Sequence, residues 1–151
     1  MVITPEQVKE LRDKTGISVM ECKKALEASE GDMEKALGLL RERAQAQVGK
    51  KADRTLGAGT VTAYVHSNRQ VGALVSLACE TDFVSKNEEF AALAYDIAMH
   101  ISAMRPESKE ELLSQPFIKD QTKTIADLIS AATQKFGERV EIADFSCFAV
   151  A

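Results

Sequence analysis

The side chains that could support covalent or acid–base chemistry are few in this chain. Its 151 residues include two histidines and three cysteines. A thiol mechanism would combine Cys79 and Asp82 with either His66 or His100, because a cysteine needs a neighbouring base to become an efficient nucleophile. No local signature of a Ser-His-Asp or Cys-His set supports this site, and Cys79 ends an apolar run typical of a buried strand. The chain is therefore not expected to be an enzyme.

Sites for nucleotides, metals and other cofactors are not predicted either. The sequence has no glycine-rich loop of the Gly-x-x-x-x-Gly-Lys type, whose backbone N–H groups would bind the phosphates of a nucleotide. Cys22, Cys79 and Cys147 are far apart and form no Cys-x-x-Cys pair, which indicates neither a zinc site nor a disulfide framework. Reduced thiols are expected, with a bridge between two chains through Cys147 left open.

Composition limits the possible partners. The chain is 45% hydrophobic and 28% charged, as in ordinary soluble folded proteins. Its net charge is −4, whereas general nucleic-acid binders are normally basic, so no direct contact with nucleic acid is expected. No apolar run approaches the roughly 20 residues that cross a bilayer. Residues 4–7 lead straight into a helix start instead of a secretion signal. These features predict a cytoplasmic protein without a membrane partner.

The most informative segment is Cys79–Glu88, which begins at the end of a buried strand predicted over Val71–Cys79. A junction of this kind should be short and polar, yet it carries Phe83. Ser85 is predicted to cap the next helix, because Glu88 follows at the spacing of a capping box. Phe83 would then precede the first helical turn, where an exposed ring could anchor in a pocket of a partner. The alternative interpretation is that the ring plugs the core of its own domain.

The first part of the chain, residues 1–54, is predicted to be a three-helix bundle followed by a linker. Capping residues and apolar positions at helical spacing define the helices. Val19 and Met20 follow the first loop and stand near Lys23, a combination that suits an apolar partner helix with an acidic rim. The alternative is that Met20 belongs to the core and Lys23 to a solvated face. Both interpretations stay open at this point.

Residues 55–151 are predicted to form an α+β domain. Thr60–His66 alternates as a half-buried strand does, and Val71–Cys79 is more continuously apolar. An amphipathic helix follows from about Lys86, with an apolar, inward-facing stripe from Phe90 to Met104, and His100 is expected off this stripe, near solvent or a neighbouring helix. A short helix capped by Ser108 and a longer helix near Thr122–Phe136 follow. A closing strand through Val140–Phe148 completes a three-stranded antiparallel sheet with helices on one face. The other face needs cover, which favours self-association.

Several motifs resemble those of the elongation factor Ts family. The resemblance lies in Lys9–Gly16, Met20–Leu26 and Gly31–Ala36, followed by Glu80–Asn87. It implies that the three-helix bundle is similar to a ubiquitin-associated domain. It also implies that the protein is a guanine-nucleotide exchange factor for the translational GTPase elongation factor Tu. Longer members of the family carry two copies of the sheet module, whereas this chain has one, and the resemblance to short members implies a homodimer.

The resemblance also assigns roles to residues. Phe83 would insert near the magnesium and phosphate sites of the GTPase, and Asp82 would hydrogen-bond beside it. Thr81 and Val84 would set the shape of the junction. The contact with a helix of the GTPase would involve Val19, Met20 and Lys23. The alternative function is an interaction scaffold, whose helical module binds a ubiquitin-like or ribosomal partner without driving nucleotide exchange.

Overall fold

The computed structural model describes residues 2–151, which form two compact units. One unit contains the residues through Ala52 together with Ser130–Gly137. The other contains Asp53–Ile129 and Glu138–Ala151. We refer to them as the helical unit and the sheet unit. A helical bundle followed by a three-stranded antiparallel sheet with helices confirms the predicted fold class.

The helical unit begins with three helices, α1 (Pro5–Thr15), α2 (Val19–Ala28) and α3 (Met33–Lys50). The side chain of the residue before each helix accepts a hydrogen bond from a backbone N–H of the first turn: Thr4 from Gln7, Ser18 from Glu21 and Asp32 from Lys35. These bonds satisfy donors that have no partner within the helix. The helices pack around a small apolar core that includes Leu11, Leu26 and Leu40.

The sheet unit contributes β1 (Ala58–Val65), β2 (Val71–Cys79), α4 (Asp82–Ser85), α5 (Glu88–Met104), α6 (Lys109–Ser114), β3 (Pro116–Phe117), β4 (Asp120–Thr124) and β5 (Glu141–Ala149), and α7 spans Ile125–Phe136. The main sheet has the order β1-β2-β5, and both pairings are antiparallel. The central strand is therefore β2. It has the bounds that its apolar run predicted, and it ends directly before the segment that carries Phe83.

Helix α5 covers one face of the main sheet. Its side chains Phe90, Ile97 and Ile101 are fully buried, as are Leu77 and Cys79 of β2. The opposite face of the sheet is exposed, because alternate residues along a strand point to opposite sides. Strand β1 approaches β2 so closely that a Cβ atom at Gly59 would lie 2.5 Å from the carbonyl oxygen of Leu77, which makes glycine necessary there.

Some local predictions are wrong. Ser85 does not cap the long helix, because Asp82–Ser85 forms a helical turn of its own and Asn87 is the N-cap of α5. Met104, predicted to face inward, is 45% exposed. His100, predicted to lie near solvent or a neighbouring helix, is fully buried. Its Nδ1 accepts a hydrogen bond from the Ile118 N–H at 3.3 Å. Its Nε2 lies 2.9 Å from Gln115 Oε1, which requires the proton on Nε2.

The sequence also did not predict the two-stranded sheet of β3 and β4. Residues from Thr122 onward were expected to be helical, but α7 begins only at Ile125. The hairpin is short, and its polar second strand lacks the alternation by which strands are recognised. The hydrogen bonds of His100 to Gln115 and Ile118 connect this hairpin region to α5.

Candidate functional site

The segment Thr81–Val84, called the 81–84 turn below, has a defined local structure. Thr81 has an extended backbone, and its hydroxyl oxygen accepts a hydrogen bond from the Val84 N–H at 3.4 Å. The hydroxyl of Ser85 donates to the carbonyl oxygen of Asp82 at 3.1 Å. Cys79 donates its S–H to the carbonyl oxygen of Thr81 at 3.3 Å. These bonds fix one helical turn directly at the end of the central strand.

Within this turn, adjacent side chains have opposite environments. Val84 is 4% exposed and packs inward, whereas Phe83 is 87% exposed. Asp82 is also exposed. Because Val84 anchors the turn, the ring of Phe83 projects from a fixed base and takes no part in the core. The interpretation in which Phe83 plugs its own domain is wrong.

Two glutamates connect the turn to the start of β5. The carboxylate of Glu138 accepts hydrogen bonds from the backbone N–H groups of Glu80 and Thr81, each at 3.0 Å, and from the Thr81 hydroxyl at 2.6 Å. In return, Glu80 accepts a hydrogen bond from the backbone N–H of Arg139 at 2.6 Å. Glu80 also forms an ion pair with Arg54 at 3.4 Å. Because β2 and β5 are antiparallel neighbours, the end of one lies beside the start of the other, which makes this exchange possible.

The environment of Cys79 does not favour a reactive thiolate. Burial raises the pKa of the Cys79 thiol above its ordinary value, and the negative charge of Glu138 raises this pKa further. The histidines have other partners: His66 Nδ1 lies 2.9 Å from the Tyr64 hydroxyl, and His100 bonds to residues of the β3–β4 region. The structure therefore does not assemble the thiol site considered from the sequence. Within residues 2–151, no group of three potential metal-binding side chains lies together.

Three residues predicted to bind a partner lie together on α2 of the helical unit. Val19 is 50% exposed and Met20 is 67% exposed, so Met20 does not belong to the core. Lys23 is largely exposed and lies 3.9 Å from Glu27, an exposed pair that contributes little stability. The opposite side of α2 supplies Cys22 and Leu26 to the core. We call Val19, Met20 and Lys23 the α2 contact face.

The 81–84 turn lies in the sheet unit, so the predicted site residues form two separate sets, one in each unit. Both sets were predicted from the sequence, whereas Glu138, whose partners precede it by 57 and 58 residues, was not. The sequence shows a polar junction after one predicted strand and another before the last strand. It does not indicate that these two junctions lie side by side. No helix in the described part of the chain combines the length and apolar character needed to span a membrane.

Comparisons with known proteins show the family of the chain. The family model described as Elongation factor TS matches residues 6–111 and 80–151. The elongation factor Ts of Thermodesulfovibrio yellowstonii is 40% identical over 194 aligned residues, which cover 99% of this chain and 97% of the relative. That of Thermosipho melanesiensis is 38% identical, with 99% of both chains covered. The alignments exceed the 151 residues of this chain, so these relatives carry segments that it lacks. The chain belongs to the elongation factor Ts family of translation elongation factors.

Proposed function

We propose that this protein is a guanine-nucleotide exchange factor for the GTPase elongation factor Tu. It acts by binding and not by covalent chemistry. Phe83 inserts near the nucleotide and magnesium site of the GTPase, Asp82 hydrogen-bonds beside it, and the nucleotide-free state is stabilised. The observation that carries the proposal is the 87% exposure of Phe83 on a turn whose backbone is held on both sides. The protein acts in the cytoplasm, without direct contact with nucleic acid.

Rigid presentation supports insertion for an energetic reason. A flexible segment would lose conformational entropy on binding, whereas a turn already fixed in the free protein avoids most of that cost. Acceleration of GDP release by about four decades needs about 5.5 kcal/mol, at 1.36 kcal/mol per decade. Full burial of one phenylalanine supplies about 2–3 kcal/mol. The remainder must come from a broader contact surface.

The α2 contact face supplies part of that surface. Val19 and Met20 present apolar atoms on the first turn of α2, and Lys23 adds a positive charge one turn later. A helix of the GTPase with apolar side chains and an acidic border would match this arrangement. Methionine suits such a contact because its unbranched side chain adapts to an irregular surface. We assign this face to docking and the 81–84 turn to displacement of the nucleotide.

Nucleotide-dependent binding tests the exchange function against the scaffold alternative. An exchange factor binds the nucleotide-free GTPase more tightly than the GDP-bound form, and GDP weakens the complex by the same factor by which the complex weakens GDP binding. Calorimetric titration of this protein into elongation factor Tu, with and without bound GDP, measures both affinities. We expect at least a hundredfold difference, equivalent to about 2.8 kcal/mol. Equal affinities for the two forms would support a scaffold and contradict the exchange function.

The exposed face of the main sheet supports a homodimer. Val61, Val65, Leu74 and Phe148 are between 46% and 75% exposed, and we call these four residues the outer sheet face. A shallow groove of about 390 Å³ runs between Val65, Leu74 and Phe148. A second copy of the chain would bury these apolar side chains. Two sheet modules would then be present in one assembly, as the resemblance to short family members implies.

A further inference from the structure

Glu138 makes all its described hydrogen bonds to the junction that carries Phe83. One carboxylate oxygen accepts from two successive backbone N–H groups, those of Glu80 and Thr81, and the other accepts from the Thr81 hydroxyl. Hydrogen bonds to a carboxylate are about twice as strong as bonds between neutral groups. The same Thr81 hydroxyl oxygen caps the turn by accepting from the Val84 N–H. The side chain of Glu138 therefore fixes both the backbone and the side chain of Thr81, the last extended residue before Phe83.

A second hydrogen bond connects the junction to the segment that carries Glu138. Glu80 accepts a hydrogen bond from the backbone N–H of Arg139, so each glutamate holds the backbone beside the other. The Arg139 guanidinium donates to the carbonyl oxygen of Arg54 at 2.7 Å, which connects the segment before β1 to the same network. Three segments that are distant in sequence thus converge on the base of the 81–84 turn. The exposed ring itself has no role in this network.

We infer that Glu138 is a positioning residue for nucleotide release: it holds the 81–84 turn in the conformation that lets Phe83 insert into the GTPase. This inference rests on the proposed exchange function. Glu138 acts through Phe83 and need not touch the GTPase. Its loss should therefore lower the rate of the release step and leave docking through the α2 contact face intact. An effect confined to the release step would not follow from a role in overall stability.

Release kinetics separate these possibilities. The rate of labelled-GDP release from elongation factor Tu is measured against the concentration of each variant, which gives a maximal rate and a half-saturating concentration. We expect Glu138→Ala to lower the maximal rate about tenfold, or about 1.4 kcal/mol, with the half-saturating concentration unchanged. Glu138→Gln should be intermediate, because its remaining carbonyl oxygen still accepts from the backbone while the negative charge is lost. Glu110→Ala, the same loss of charge on α6, should match the wild type.

A double-mutant cycle shows whether Glu138 acts through the ring. Once Phe83 is replaced by alanine, no ring is left to position, so adding Glu138→Ala should not slow release further. Independent, multiplying effects would overturn the inference, as would a raised half-saturating concentration at an unchanged maximal rate. If Phe83→Ala slows release but Glu138→Ala does not, the inference alone fails. If Phe83→Ala has no effect, the proposed function fails and the inference with it.

A probe in the free protein tests the positioning directly. The chain contains no tryptophan, so Phe83→Trp introduces a single fluorescent reporter at the tip of the turn. Time-resolved anisotropy should show a larger fast component when Glu138→Ala is added to Phe83→Trp, and a smaller increase with Glu138→Gln. Thermal unfolding of the same variants identifies any general loss of folding. Unchanged anisotropy in a folded Glu138→Ala protein would contradict a positioning role.

Discussion

Replacement of Phe83 by alanine should separate function from folding. The ring is 87% exposed, so it contributes almost nothing to the core, and the free energy of unfolding should change by no more than about 0.5 kcal/mol. Nearly all its apolar surface remains available for burial in a partner. Since full burial of phenylalanine is worth about 2–3 kcal/mol and alanine keeps only the Cβ, the loss at the release transition state should be about 2 kcal/mol. At 1.36 kcal/mol per decade, release should slow about 30-fold.

Stopped-flow measurement of labelled-GDP release at saturating factor gives this rate directly. Met104→Ala is the matched control, because Met104 is an exposed large apolar residue of the same unit. It lies at the far end of α5, roughly 24 Å along the helix from Glu88 at 1.5 Å per residue. The control should release GDP at the wild-type rate. If folded Phe83→Ala also did so, the ring could not be the element that displaces the nucleotide.

Three further predictions address docking, assembly and stability. Lys23→Glu should weaken binding to elongation factor Tu about tenfold without lowering the maximal release rate, whereas Lys9→Glu on α1 should not; equal affinities in a calorimetric titration would contradict the docking role. Phe148→Asp should convert a dimer to a monomer of 16.5 kDa in sedimentation equilibrium, with Met104→Asp as control, and a wild type that is already monomeric would exclude the dimer. Burial lowers the pKa of His100 in the folded protein below 6.5. Below pH 6.5 the unfolded chain therefore binds a proton at this residue more readily than the folded protein does. The free energy of unfolding should fall as the pH falls from 6.5 towards the folded-state pKa. Urea unfolding between pH 5.5 and 7.5 should show this pH dependence of the free energy of unfolding in the wild type, and it should be smaller in His100→Gln. The same pH dependence in both proteins would contradict the role of His100.

The sequence predicts best what depends on local physics. Gly16 ends α1 with a φ of 70°, a left-handed conformation that glycine adopts without strain. Ser18 and Ser108 each accept a hydrogen bond from the backbone N–H three residues later, which is the spacing by which a helix start is recognised in a sequence. Strand β2 was predicted with its observed bounds, Val71–Cys79, because a central strand covered by a helix needs an apolar run. In each case the deciding interaction lies within a few residues of the signal.

Predictions fail where distant residues decide the structure. His100 faces the β3–β4 hairpin, and its partners Gln115 and Ile118 lie 15 and 18 residues further on. A helical stripe drawn from apolar residues alone therefore leaves His100 outside the core. Glu138 was not predicted for the same reason, because its partner Thr81 lies 57 residues earlier in the sequence. The exposure of Phe83 also depended on the fold, because Val84 beside it is equally apolar yet buried. Spacing indicated an unusual junction but could not say which side chain points outward.

The most direct test of the central claim is the rate of labelled-GDP release from purified elongation factor Tu with and without this protein. If a rigidly held, exposed Phe83 drives exchange, catalytic amounts of the wild-type protein should accelerate release by several orders of magnitude, and the rate should saturate with its concentration. A release rate that is the same in the presence and absence of the folded protein would contradict the account.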